Sequence, residues 1–257
     1  ALQTMGVSLF GVADFDEGLR LRKHGIEGSI MVMNPGIYNL QVILEHDIEP
    51  VIYSHEMLLM LTKILKNDEL KNKFSSEKVG IHIKVNTGMN RWGFNVSHLP
   101  KLIRNLKKLK RVQIKSIYSH LSSSSALKDD LFTRDQINHF ENVRKLFKAQ
   151  FKYTINYHLF NSSAFLRKFK LEKPHSIRAG ILLYGAINNK HLQPIAELRC
   201  IISDIRIVNV GDTIGYRRGY IASKKMKIGI LPFGYADGLQ RNWGNGNLKF
   251  FYNNRLL

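Results

Sequence analysis

The chain has 257 residues, 44% hydrophobic and 23% charged, which excludes a disordered or low-complexity chain. One cysteine, Cys200, excludes an intrachain disulfide framework and fits a reducing cytosol, so a cytoplasmic location is expected. The net charge of +19 raises nucleic acid or an anionic membrane as partners. However, the basic residues fall in scattered groups, such as Lys107, Lys108, Lys110 and Arg111, or Arg167 and Lys168. No zinc-binding, helix-turn-helix or RNA-binding pattern surrounds them, and no apolar run is long enough to cross a bilayer. The expectation is therefore no metal, no nucleic acid and no membrane, with a lysine-rich surface and a site for anionic ligands.

Short β-branched or aromatic runs alternate with helical patterns from the first residues onward. Ser8–Asp14 reads as a strand, Glu17–His24 as a helix stopped by Gly25, and Ser29–Met33 as the next strand. Ile37–His46 is helical, 50–53 is a strand, and Ser54 can cap a helix over 55–65. Strands follow at 79–85, 112–118, 153–158 and 176–179. Helices are expected at 99–109, 134–150 and 162–169, the second opened by a Thr133–x–x–Gln136 capping box.

Strand–helix alternation at this spacing means parallel strands joined by crossover helices. The pattern holds seven such strands before Gly180. The fold class expected is α/β: a (β/α)8 TIM-type barrel lacking its first strand, whose place falls upstream of Ala1. A doubly wound open sheet is the rival. Polar clusters recur after several successive strands, at Asn34, Asn86–Arg91, Ser119–His120, Asn161–Ser162 and Arg178. In a barrel these ends converge on one mouth; an open sheet would concentrate them at one switch point. After about Ala186 the pattern turns β-rich. The expected domains are thus 1–186, an incomplete barrel, and 187–257, the start of an all-β domain cut within a strand pair at Phe250–Leu257.

Ile81–Arg91, IHIKVNTGMNR, is the most informative stretch. Charge is costly inside a buried strand unless it is paired, so Lys84 with Arg91 just past the strand end points to a site. The alternative is a snorkelling lysine and a surface arginine. His120 sits at another strand end, where a packing role is the plainer reading. His158–Ala164 (HLFNSSA) is a polar turn entering a helix, either a phosphate cradle or an ordinary Asn/Ser cap. Arg178 lies in Ile177–Gly185 (IRAGILLYG), and Tyr220 ends the turn GYRRGY. Taken alone, Tyr220 reads as a packing residue. Leu231–Gly238 (LPFGYADG) is a further distinctive block.

These motifs together resemble those of alanine racemases, the pyridoxal-phosphate enzymes that interconvert L- and D-alanine. The resemblance runs along essentially the whole chain. It implies PLP-dependent racemisation of alanine for peptidoglycan synthesis, in a homodimer, with pyridoxal 5'-phosphate as cofactor. By the same resemblance Lys84 is carbamylated and orients Arg91, which meets the substrate carboxylate. His120 stacks on the cofactor ring. Ser162 and the backbone of Gly180 and Ile181 hold its phosphate. Arg178 faces the ring nitrogen, supported by His158. Arginine stays protonated, so the ring nitrogen stays neutral and is a weaker electron sink. Tyr220 is one of two catalytic bases. The other, a Schiff-base lysine, falls before Ala1, so this segment alone is expected to be inactive. Asn86 stands where many relatives carry aspartate, and Arg218 departs from the commonest turn residues. VMNP, IEPVIYS and FTRDQI resemble the form fused behind a cell-wall peptide ligase. The rival readings are a broader amino-acid racemase or decarboxylase on the same barrel, a non-catalytic PLP carrier and a basic binding module.

Overall fold

A computed structural model describes residues 1–74, 77–172, 175–187, 189–244, 246–253 and 255–256. The chain divides into two compact units, Ala1–Gln193 and Pro194–Leu257, a few residues past the change of pattern at Ala186.

The first unit is built from strand–helix repeats. Strand β1 (Leu9–Val12) leads into α1 (Phe15–Lys23), which Asp14 caps by accepting from the Glu17 N–H. Then come β2 (Ser29–Val32), α2 (Leu40–Glu45), β3 (Glu49–Ile52) and α3 (His55–Lys66). Ser54 caps α3 as its position suggested, its Oγ 3.2 Å from the Met57 nitrogen. Strand β4 (Val79–Asn86) is followed by a two-residue strand, β5 (Phe94–Asn95), and by α4 (Leu99–Lys107). Next are β6 (Val112–Tyr118), α5 (Asp130–Gln150), β7 (Asn156–Asn161), α6 (Ser162–Leu166) and β8 (Ser176–Arg178). The strands pair in parallel in the order β1-β2-β3-β4-β6-β7-β8, with β5 beside β4. This is a barrel sheet of seven main strands, unclosed between β8 and β1 among the described residues.

Alternation along each strand sorts residues into two layers. On β2, Ile30 and Val32 pack with Ile43 and Ile48, whereas Met31 joins Val51 and Tyr118 on the other face. On β4, Ile81, Ile83 and Val85 pack in the main core with Leu61, Leu102 and Phe140 from the helices. His82 and Lys84 alternate with them and face the interior, where Ser116 and His158 are also buried. Barrel interiors are usually filled by Val, Ile and Leu. This one is unusually polar between β4 and β8.

Two local expectations fail. Thr133 and Gln136 are not a capping box, because α5 starts at Asp130 and both residues are fully buried within it. Strand β7 runs three residues later than expected, so His158 sits within the strand rather than at its end.

The second unit consists of short antiparallel pairs. Strand β9 (Asp204–Val208) pairs with β12 (Met226–Ile230), and β10 (Thr213–Ile214) with β11 (Tyr220–Ile221). Strand β13 (Phe251–Tyr252) pairs with β14 (Arg255–Leu256). That last pair falls in the expected 250–257 segment, of which Asn254 and Leu257 lie outside the described residues.

Candidate active site

The C-terminal ends of β4, β6, β7 and β8 are neighbours in the barrel sheet, which is where barrel active sites lie. Lys84, two residues before the end of β4, is 5% exposed. Its Nζ stands 5.2 Å from the Trp92 ring centre and 5.6 Å from that of Tyr118. Burial, aided by the nearby Arg91 and Arg178 cations, pushes its amine down to about 8. The Arg91 guanidinium lies over the same Trp92 ring at 5.4 Å. The turn between them is organised by Asn86. Its Oδ1 accepts from the Gly88 and Asn90 N–H groups, and its Nδ2 donates to Asn90 and Asn95. A carboxylate could not make those two donations. Gly93 closes the turn at φ +120, where a Cβ would meet the Asn86 nitrogen at 2.8 Å.

Arg178, at the end of β8, is the hub. Its NH1 donates to His158 Nδ1 at 2.7 Å and to the His158 carbonyl at 3.0 Å. Its NH2 reaches the Ser119 carbonyl at 2.7 Å, the Leu159 carbonyl at 3.1 Å and His120 Nδ1 at 3.2 Å. Desolvation brings the guanidinium down to about 10, so it stays charged at neutral pH. Tyr118 completes the wall: its ring stacks on His158 at 4.8 Å and lies 5.0 Å from the Arg178 guanidinium.

His120 titrates far below its usual range, at about 4, because burial and then the Arg178, Lys84 and Arg91 cations oppose a further positive charge. It is neutral at pH 7. With Nδ1 facing a donor, its proton belongs on Nε2. Gln136 holds the His120 segment from α5. Its Nε2 donates to the His120 carbonyl, and its Oε1 accepts from the Ser122 N–H and hydroxyl.

Ser162 begins α6, next to Asn161, whose Oδ1 caps the helix by accepting from the Ala164 N–H. The Gly180 and Leu182 N–H groups both point at Ser162 Oγ, at 3.3 and 3.4 Å. A Cβ on Gly180 would meet nothing within 4 Å, so the space beside these donors is open. Ile181 is 54% exposed, and its carbonyl is taken by the Tyr184 and Ala186 N–H groups. The two N–H groups that meet Ser162 Oγ are those of Gly180 and Leu182, and Leu182 is a residue the motif did not single out.

Lys84, Arg91, His120, His158 and Arg178 therefore form one connected cluster, with the Ser162–Gly180 donors beside it. The charges acting on Lys84 are all positive, so the cluster favours an anionic ligand. Tyr220 belongs to the second unit, at the start of β11 opposite Ile214, and is 47% exposed. Sequence reading missed Trp92 and the wall role of Tyr118. It also missed three residues deeper in the barrel, Glu49, His82 and Ser116. His82 was within reach, since it shares the face of Lys84 two residues away. Among the described residues, no group of three or more His, Cys, Asp or Glu could hold a metal ion. No helix among them is long and apolar enough to cross a membrane.

Comparison with known proteins shows the family. The family model of the alanine racemase N-terminal domain matches residues 1–188, and that of the C-terminal domain matches 195–257. Alanine racemase of Clostridium kluyveri is 30% identical over 247 residues, covering 92% of this chain and 60% of that protein. Alanine racemase of Carboxydothermus hydrogenoformans is 31% identical over 255 residues, covering 95% and 66%. The crystal structure of alanine racemase from Bartonella henselae, with covalently bound pyridoxal phosphate, superposes with a TM-score of 0.72 at 25% identity. That match covers 94% of this chain and 65% of the other. The chain spans about two thirds or less of the length of these relatives. It belongs to the alanine racemase family.

Proposed function

We propose that the protein carrying this chain racemises alanine with pyridoxal 5'-phosphate bound at the barrel mouth. One observation carries the reading most: a half-buried arginine, Arg178, is held by His158 beside a neutral His120, near two backbone N–H groups gathered on Ser162 Oγ. A cationic site walled by the Trp92 and Tyr118 rings, with a separate N–H pair, matches a phosphorylated aromatic aldehyde. When bound, that cofactor withdraws electrons from the substrate Cα and so acidifies its proton.

The residues divide the work. The Gly180 and Leu182 N–H groups and Ser162 Oγ hold the phosphate, with Ile181 as backbone of the same turn. His120, neutral, stacks on the ring without adding charge. Arg178 can only donate, so it holds a ring nitrogen unprotonated and limits how far negative charge spreads into the ring. A ring nitrogen would take over the longest of its contacts, the one to His120. Arg91 receives the substrate carboxylate, for which a planar fork is suited. Lys84, with an amine near 8, has the free-base form within reach at neutral pH. Attack of its nitrogen on carbon dioxide, with loss of a proton, would give the carbamate that orients Arg91. Tyr220 Oη acts as one base at Cα, and a lysine outside this chain acts as the other. The whole protein is read as a cytoplasmic homodimer supplying D-alanine for peptidoglycan, with the barrel and the β-rich unit as its two domains.

The test is chiral analysis of L-alanine incubated with the intact protein and pyridoxal phosphate. D-alanine should accumulate to near equality, with the α-proton exchanged for solvent deuterium. A protein that binds the cofactor and leaves alanine untouched would be a carrier, and this reading would fail.

A further inference from the structure

A line of hydrogen bonds leaves Arg178 and runs away from the candidate site through the barrel interior. His158 Nε2 lies 2.7 Å from Ser116 Oγ. Ser116 Oγ lies 2.6 Å from His82 Nδ1, and His82 Nε2 lies 2.8 Å from Glu49 Oε2. With the 2.7 Å contact from Arg178 to His158 Nδ1, that makes one unbroken path over β8, β7, β6, β4 and β3. His82, Ser116 and His158 are each 1% exposed, so water does not reach them. Glu49 opens β3, so the path ends toward the N-terminal side of the barrel.

The chemistry of the two ends fixes the order of every proton between them. A guanidinium has donors and no acceptor. His158 Nδ1 must therefore be a lone pair, and the ring proton sits on Nε2, pointing at Ser116 Oγ. The serine hydroxyl then points at His82 Nδ1, and the His82 proton on Nε2 points at the Glu49 carboxylate. Both histidines are neutral in this order, and each atom on the line is satisfied. A doubly protonated His82 would turn a second donor on Ser116, whose own buried hydroxyl proton would then have no acceptor on the line. A buried donor left without an acceptor is destabilising.

The opposite order is the only other complete one. In it His82 donates from Nδ1 to Ser116, the serine donates to His158 Nε2, and the His158 proton moves to Nδ1. That proton would face Arg178 NH1, donor against donor. Two anchors select the working order: Arg178, which can only donate, and Glu49, which as a carboxylate can only accept. The carboxylate is built in place. It also accepts from Ser29 Oγ at 3.2 Å, and a Cβ on Gly80 would stand 2.8 Å from Glu49 Oε1. Hydrogen bonding to His82 holds its acid below the usual carboxylate range against the opposing cost of burial, so it is ionised at neutral pH.

We propose that Glu49 is a positioning residue for Arg178, acting through His82, Ser116 and His158 to keep a lone pair of His158 turned on the guanidinium. Only the consequence for turnover rests on the function proposed above.

The test combines ring-nitrogen NMR of the two histidines with hydrogen exchange of the Arg178 guanidinium. In the unaltered intact protein both rings should carry their proton on Nε2. Glu49→Leu should move the His82 proton to Nδ1 and speed Arg178 exchange by about tenfold, with turnover falling by about 10-fold. Glu49→Gln keeps an acceptor oxygen and should restore the ring states and most of the rate. Gly80→Ala, which crowds the carboxylate without removing it, should shift the same signals by less. In a Ser116→Ala background Glu49→Leu should add little, because the path is already cut. An unchanged His82 proton in Glu49→Leu, or a moved proton with unchanged Arg178 exchange, would overturn the proposal. If the protein proves not to racemise alanine while the ring states behave as stated, the function falls and the positioning role stands.

Discussion

In the barrel unit Ile30, Ile81, Leu102 and Phe140 are fully buried, whereas in the second unit Ile205, Ile207 and Phe251 are each more than half exposed. The difference follows from layering. A parallel strand here has helices on one face and the barrel interior on the other, so both faces are dry. The second unit's strand pairs are two to five residues long and, among the described residues, have no helix layer over them. Two-stranded pairs bury little by themselves. Desolvation therefore acts on side chains in the barrel, where Lys84, His120 and Arg178 are all shifted by it.

The largest effect that would sharpen this contrast is core truncation. Phe140→Ala should destabilise the barrel unit by about 3–5 kcal/mol, whereas Ile207→Ala in the second unit should cost less than about 0.5 kcal/mol. Denaturant melts of the two variants would check it, and equal costs would break the contrast. Next is Gln136→Leu, which leaves the His120 carbonyl and the Ser122 N–H unpaired. The expected loss is about 1–3 kcal/mol, with weaker cofactor binding read by titration. Third is a pH effect. His120 is near 4 in the folded chain and near 6.5 in an unfolded one, so between those values the unfolded chain binds more protons. Stability should rise as pH rises through that window, and His120→Asn should flatten the rise. Lys84 acts in the same sense between about 8 and 10.5. The smallest effect is Asn86→Asp, which removes two donor bonds at an exposed turn. It should cost about 1 kcal/mol and loosen Arg91.

Much of the barrel was legible because its strands obey period two and its helices carry caps, as Ser54 does. The seven strands and their parallel order follow from that. The start of α5 was not legible. Thr133 and Gln136 have the spacing of a capping box, but both are buried within α5, and Gln136 serves the His120 segment instead. The members of the cationic cluster were readable as charges in strands or at strand ends. Their partners were less so, because Ser116 and Glu49 become site residues only when adjacent strands set them beside His82. The Leu182 donor was invisible for a similar reason: a backbone N–H leaves no mark in the sequence. Tyr220 was singled out by the resemblance alone, and its exposed place at the start of β11 adds no independent sign of a base.

The central claim is that Ser162, His120 and Arg178 serve one pocket for a phosphorylated aromatic aldehyde. Titration of the intact protein with pyridoxal phosphate, followed by the cofactor's absorbance, tests it most directly. Ser162→Ala and His120→Leu should each weaken binding by about tenfold, while Lys107→Ala on the outer surface should leave it unchanged. Equal affinity in all of these proteins would contradict the account.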